Sequence, residues 1–289
     1  MPYLFIAVSN ILGGSTYAVT TAALKGFPEK DLMLLRMALC AALFVPLAWR
    51  GRGRLAGATR GDWARIVAVG LFGYALPLAL GTYGVKLSSA TSASLLVGME
   101  PVSIVLLSAL FLGEALTGVK IISLVLGLSG AMLIAFQGFP TLSGAFSDRL
   151  KGDLILATHG CCWALYSVLG KSALKRVDPL DFTAVTSIIG FLGVAFWAGW
   201  GASPSSWAAT PPAAWLAMTY LAVAGGFLAV ILWNVALKKV EASKVANFIF
   251  LQPVVGVLLG VGLQGDPLTR WSMAGGALVL GGMYAASHS

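Results

Sequence analysis

Glu100 is the one acidic residue near the middle of a long apolar stretch of this chain. An ionised carboxylate there costs several kcal/mol or more unless it faces water or a partner. Two readings follow. It stands on a cavity wall, where it binds an ammonium group or carries a proton, or it is a protonated acid bonded to a nearby carbonyl. Val97 offers such a carbonyl, because its usual i+4 donor is missing at Pro101. Pro253 repeats the arrangement after Gln252, releasing the carbonyl of Ile249. Paired breaks of this kind read as cavity walls and hinges, or else as packing kinks.

His159, Trp163 and Tyr166 are spaced i, i+4 and i+7, so they share one helical face. Asn10, Gly14 and Tyr17 form a second stripe of the same spacing. Facing each other, the stripes would make a pocket for an amphipathic ligand with a ring; packed together, they would be an aromatic core with satisfied polar tips. Thr82, Asn234 and Asn247 are isolated polar residues that bond either a ligand or a neighbouring helix. Arg36 snorkels outward or gates an external mouth, snorkelling being the commoner outcome. No cluster of Cys, His and acids surrounds His159, so no metal is expected.

These residues must be placed by apolar helices. The chain has 289 residues, 58% of them hydrophobic and only 10% charged, with mean hydropathy +0.88. A soluble fold could not bury that much apolar surface. Ten stretches of about 20 apolar residues lie at 3–22, 32–49, 64–85, 91–112, 118–136, 153–174, 181–200, 213–236, 242–263 and 269–286. They describe an all-α polytopic membrane protein with no room for a soluble domain. The first stretch lacks a basic leader and is retained as a helix.

The net charge of +8 comes from 19 Lys+Arg against 11 Asp+Glu. The basic residues sit in short gaps between apolar runs, so they mark topology and not a nucleic-acid surface. Counted in alternate gaps, twelve fall on one side, led by the Arg cluster at 50–65, and six on the other. The richer side is predicted to be cytoplasmic, together with both termini. Cys40, Cys161 and Cys162 all lie inside predicted helices and read as packing residues. Trp49, Trp63, Trp197, Trp200, Trp207, Trp215 and Trp271 fall near helix ends, as an interfacial belt does.

Residues 81–132 overlay 233–284 at a constant shift of 152. Lys86 meets Lys238, Glu100-Pro101-Val102 meets Gln252-Pro253-Val254, and Gly113-Glu114 meets Gly265-Asp266. At a shift of 149 to 150, Tyr17 meets Tyr166, Ala23-Leu24-Lys25 meets Ala173-Leu174-Lys175, and Asp31 meets Asp181. The chain is therefore two five-helix halves, 1–137 and 153–289, joined by a loop at 138–152. Five is odd, so the second half enters from the opposite side, giving the inverted-topology repeat of secondary transporters.

Two such halves, each with a mid-helix Pro in its fourth helix and a Gly-acid turn before its fifth, resemble the EamA-type drug/metabolite transporter superfamily over the whole chain. Within it the chain looks most like the YddG-type exporters of aromatic amino acids. The resemblance implies a cavity between the halves lined mainly by helices 1, 3, 4, 6, 8 and 9, and peripheral helices 5 and 10. It also implies export of neutral amino acids or related metabolites across the bacterial inner membrane. One departure stands out: Gln252 occupies the place of Glu100, so only one half can ionise there.

Other classes fare worse. A G-x-G-x-x-G match at 260–265 ends an apolar helix with no strand before it, and Gly170-Lys171-Ser172 lacks the first glycine of a P-loop. No cofactor is expected, and transport is gradient-coupled or passive. A membrane-embedded enzyme would need clustered acids or His/Asp pairs, and a channel would need repeated polar rings. The alternatives kept open are export of other amphipathic metabolites or drugs, and a facilitator without proton coupling. Basic residues able to hold phosphorylated ligands are missing from mid-membrane, which favours a weakly charged or zwitterionic small molecule. Small-xxx-small stripes (Ser123, Gly127, Ala131; Ala277, Gly281, Ala285) suit packing within a monomer, with a homodimer seam as the alternative.

Overall fold

The computed structural model describes residues 1–55, 57–87, 98–136, 148–202, 204–259 and 269–287. Ten long helical segments occupy them, with short 3₁₀ turns at Gly199–Gly201 and Pro204–Ala209, and no strand is present among these residues. In chain order they are α1 (Pro2–Ala23), α2 (Glu29–Leu55), α3 (60–87), α4 (Met99–Leu112), α5 (Gly118–Phe136), α6 (Asp148–Leu174), α7 (Pro179–Ala198), α8 (Pro212–Lys239), α9 (242–259) and α10 (Arg270–Ser287). Local chemistry sets their ends. Thr59 and Asp62 form a reciprocal capping box at the start of α3. Asp178 accepts from the Leu180 N–H, and Pro179 opens α7 at a position where no donor is needed. Gly113 ends α4 in the left-handed region at φ 70°, which a side chain would resist.

The array is a ten-helix membrane fold of two inverted repeats, and its packing repeats as well. α2 packs on α7, and α5 on α10, each joining repeat mates. α3 packs on α6 as α8 packs on α1, and α4 on α6 as α9 on α1. α3 and α8 each contain a π segment, Val69–Ala75 and Leu221–Leu228. The two begin 152 residues apart, so the repeat extends to a backbone irregularity of a kind that clusters at functional sites. Large apolar side chains such as Leu110, Phe111, Leu192, Phe196 and Leu216 face outward, as lipid contact requires.

One end of the array is tied by charge. Arg54 grips the buried Asp181 with two bonds of 2.7 Å. Lys120 reaches Glu241 at 2.7 Å, Lys238 the Val177 carbonyl at 3.1 Å, and Lys171 the carbonyls of Leu237 and Val240. Glu114, in the turn after α4, caps α9 by accepting from the Ala242 and Ser243 N–H groups at 2.7 and 3.0 Å and from the Ser243 hydroxyl at 2.5 Å. Partial burial raises the Glu114 carboxyl, but the bonds from Ser243 and Ala242, with Lys120 nearby, outweigh it and hold the group below its usual range. The opposite end holds the Lys86–Glu29 pair and Trp207, whose Nε1 donates to Asp31 at 3.0 Å rather than lying free in an interfacial belt.

Two expectations change. α4 is described from Met99 on, so Pro101 lies in the first described turn, where a missing N–H costs little, and Val97 is outside the described residues. In α9 the regular ladder gives way to a 3₁₀ turn at Asn247–Phe250, immediately before Gln252-Pro253. The small-residue stripe of α10 is also displaced. Its packing face carries Gly282 against the Ser123 carbonyl and Gly275 against Gly130, while Ala277 and Gly281 face outward. Close backbone approach decides this: a Cβ on Gly130 would lie 2.5 Å from the Gly275 oxygen.

Candidate functional site

A cavity of about 170 Å³ lies between the halves. α1 contributes Ser9, Asn10, Gly13, Thr16 and Thr20; α3 contributes Tyr74, Pro77, Leu78, Gly81 and Thr82; α4 contributes Glu100. α6 adds His159, Trp163 and Tyr166, α8 adds Gly225, Ala229, Val230 and Trp233, and α9 adds Ile249 and Gln252. All six helices implied by the family resemblance take part, joined by Arg36 from α2. The lining runs from Ser9 to the Thr20 end of α1. Beyond its floor, toward the charge-tied end, Ile6, Leu237, Val240, Ala242 and Val245 fill the space as one buried apolar cluster.

The polar groups on the wall hold defined bonds. Asn10 Nδ2 donates to the Ile6 carbonyl at 2.9 Å, and its Oδ1 accepts from Gln252 Nε2 at 3.0 Å. Trp163 Nε1 donates to His159 Nε2 at 2.8 Å. That nitrogen is thus the acceptor, and the ring proton of a neutral His159 sits on Nδ1. Thr82 returns its hydroxyl to the Leu78 carbonyl at 2.9 Å. Trp163 meets Tyr74 edge-on at 5.7 Å and Tyr166 at 5.5 Å between ring centroids. These rings build a rigid aromatic wall of low conformational entropy.

The sequence stripes are therefore both cavity wall and core. His159, Trp163, Asn10, Thr82, Glu100 and Gln252 come together around one space. Tyr166 lines it with one ring edge, while its hydroxyl faces the protein, accepting from Asn234 Nδ2 at 2.6 Å. The Tyr17 side chain lies outside the described residues. Asn234 and Asn247 do not line the cavity. Asn234 also donates to Thr183 Oγ1 at 2.8 Å, tying α8 to α7, whereas Asn247 donates within α9 to the Ser243 carbonyl at 3.0 Å. Pro101 and Pro253 are buried beside the wall, not in it.

One expectation is settled by geometry, and one cavity residue had no place in the sequence analysis. Arg36, expected either to snorkel outward or to gate the mouth, lines the cavity. Its position about two turns into α2 permits either course; α8 passes beside it at Gly225, where an added Cβ would lie 3.7 Å from a guanidinium nitrogen. Trp233 is 8% exposed, lines the cavity, and its Nε1 has no hydrogen-bond partner among the described residues. Repeat register could have flagged it. Its mate at a shift of 152 is Gly81, and the mate of Trp163 at 149 is Gly14. Both tryptophans thus come from the second half and both glycines from the first. A Cβ on Gly81 would lie 3.2 Å from His159 Nε2, and one on Gly14 would lie 2.9 Å from the Gln252 backbone.

Comparison with known proteins agrees with this architecture. The model of the EamA-like transporter family matches residues 1–136 and again 150–287. The chain is 27% identical to the uncharacterized transporter YyaM of Bacillus subtilis, over 99% of this chain and 93% of that protein. It is 23% identical to a protein of Streptantibioticus cattleyicolor named "Probable terminal-alkyne amino-acid exporter", over 96% of this chain and 90% of the other. A solved crystal structure superposes with a TM-score of 0.79 at 24% identity, covering 98% of this chain and 95% of its own. Because the family model fits each half in turn, as the two-fold packing of the helices demands, the chain belongs to the EamA-like transporter family and is a membrane transporter.

Proposed function

We propose that this transporter exports small zwitterions with an apolar or aromatic side chain, neutral amino acids above all, by alternating access across the bacterial inner membrane. The observation that carries the reading is one cavity lined by Arg36, Glu100, Trp163 and Trp233. Arg36 suits a carboxylate, Glu100 suits an ammonium group, and the tryptophan faces suit the apolar part, with the buried, unpartnered Trp233 N–H as a second donor to the carboxylate once a ligand uncovers it. A ligand bearing both charges addresses both groups at once, whereas a simple cation addresses Glu100 alone. The relative named as an amino-acid exporter supports the same class.

The Arg-rich end is the cytoplasmic one, with both termini there. The cavity then faces outward, sealed below by the buried apolar cluster and the charge-tied helix ends. Residues 1–137 and 153–289 act as the two moving halves of a monomer, with hinges at Pro101 and Pro253. The test is a panel of labelled aromatic and aliphatic amino acids in proteoliposomes, with polyamines and cationic drugs as controls. Saturable uptake and counterflow of amino acids are expected. Transport of the cations alone overturns the substrate class, and flux without counterflow overturns the carrier mechanism.

A further inference from the structure

Two helix seams flank the cavity, and the internal repeat relates them. At one seam α1 meets α9, and Gln252 is bonded to Asn10 at 3.0 Å. The approach there is close enough that Gly14 has no room for a side chain. The repeat register sets Asn10 on His159 and Gln252 on Glu100. The mate of this amide clasp is therefore an imidazole and a carboxyl group at the α4–α6 seam. Both line the cavity, and the seam itself is in contact, with Ser103 Oγ 3.5 Å from Cys161 Sγ. Yet the second clasp is open. His159 Nε2 accepts from Trp163, and no bond joins it to Glu100 among the described residues.

We propose that His159 and Glu100 together form a proton site that closes when the transporter turns to its opposite-facing state. This rests on the alternating-access reading above. In an inverted repeat, the opposite state arises when each half takes up the arrangement its mate now has. The Asn10–Gln252 clasp then opens, and the α4–α6 seam brings Glu100 to His159.

The two clasps differ in one respect. Amides bond at any pH. The acid and imidazole bond through one shared proton: the Glu100 O–H donates to Nε2, or the proton crosses to leave a carboxylate and an imidazolium. Nδ1 keeps its own hydrogen throughout. Nε2 has a single lone pair, so Trp163 must release it first. Without the proton, a carboxylate faces that lone pair. With a second proton, two donors face each other. The proton count thus selects the state through one seam only. The other charged or titratable groups around the pair are Arg36 and Cys40 on α2, Tyr74 on α3, and Cys161 and Tyr166 on α6. α1, α8 and α9 present neutral groups among the described lining residues.

The test needs no known substrate. Thr16→Cys, on the cavity wall, is placed in a background with Cys40, Cys161 and Cys162 changed to Ala, in proteoliposomes. An impermeant maleimide then reads outward opening between about pH 5.5 and 8.5, the range in which imidazole charge changes. E100Q/H159N copies the amide chemistry of the other seam and cancels the reagent's own pH dependence. Against that reference, labelling with the native pair should change at least about threefold with pH, a population shift of ordinary size. Adding N10H/Q252E to E100Q/H159N moves the pair to the first seam and should restore a response of opposite sign. Superimposed profiles for the native pair and E100Q/H159N overturn the proton site, and a response of unchanged sign in the moved pair overturns the exchange of seams. N10A/Q252A, lacking the standing clasp, should alter labelling at every pH. If it does not, alternating access itself fails; if it does while the pH profiles superimpose, only the proton site fails.

Discussion

The hydroxyl of Tyr74 donates to the carbonyl of Gly226 at 3.3 Å, and the two residues are repeat mates, 152 positions apart. The bond ties the π segment of α3 to the π segment of α8 across the pseudo-two-fold relation of the halves. π turns leave carbonyls that the regular ladder does not satisfy, so a partner from the other half is worth keeping. Tyr74→Phe retains the ring contacts with Trp163 and Tyr166 but leaves that carbonyl without its donor. A loss of about 0.5–1.5 kcal/mol is expected, measured by unfolding in mixed micelles. Unchanged stability would mean that the bond adds nothing to the union of the halves.

Trp163 and Trp233 should separate two parts of ligand recognition. Trp163→Ala removes ring area and should weaken transport of aromatic substrates more than that of small aliphatic ones. Trp233→Phe keeps most of the area and removes a single N–H. It should raise the apparent KM for carboxylate-bearing substrates about tenfold, the effect of losing one bond to a charged group. Equal losses for all substrates in properly folded Trp163→Ala would return that residue to a purely structural role.

Arg36 and Glu100 should report on opposite ends of the ligand. Arg36→Gln should abolish the transporter's preference for free amino acids over their carboxyl amides. Glu100→Gln should abolish its preference for free amino acids over their N-acetyl derivatives. Competition by the blocked analogues against a labelled amino acid reads both effects. If Arg36→Gln leaves the amide discrimination intact, the carboxylate lies elsewhere.

Topology is open to direct labelling. A cysteine at Ala208, in the uncharged loop before α8, should react with an impermeant thiol reagent added to intact cells. One at Ala56, among the arginines after α2, should react only after permeabilisation. The reverse pattern would invert the orientation and place the cavity mouth on the cytoplasmic side.

Glu114 should make the capped end sensitive to acid. Its carboxyl titrates below the ordinary glutamate range in the folded chain. A group lowered on folding contributes stability that is fully present above its unfolded value, near 4.3 for Glu as a rough reference. That stability is lost as pH falls through the lower folded value. Wild-type stability should therefore hold at neutral pH and fall below about pH 4, whereas Glu114→Gln should be weaker by about 0.5–2 kcal/mol at neutral pH, as for a lost helix cap, with a flatter acid limb. Parallel acid limbs for the two proteins would show that Glu114 is not the titrating link.

Hydropathy and the shift of 152 already contained the ten helices and their division into two inverted halves, and the polar stripes contained part of the cavity wall. These depend on period, composition and register, which are properties of the chain in one dimension. The i, i+4, i+7 spacing put His159, Trp163 and Tyr166 on one face for the same reason. Spacing could not say how a face divides between ligand and protein. Asn234 is as polar as Asn10, yet it is spent on Tyr166 and Thr183, because α7 and not open space lies opposite it. Arg36 could have reached the interface; the assembled helices place it on the cavity wall beside α8 instead. Trp233 looked like any apolar helix residue until α1, α3 and α6 surrounded it without providing a partner for its N–H. Helix faces are written in the sequence, but what each face meets depends on crossing angles and close approaches summed over many weak contacts between distant segments. Only the assembled tertiary structure fixes those.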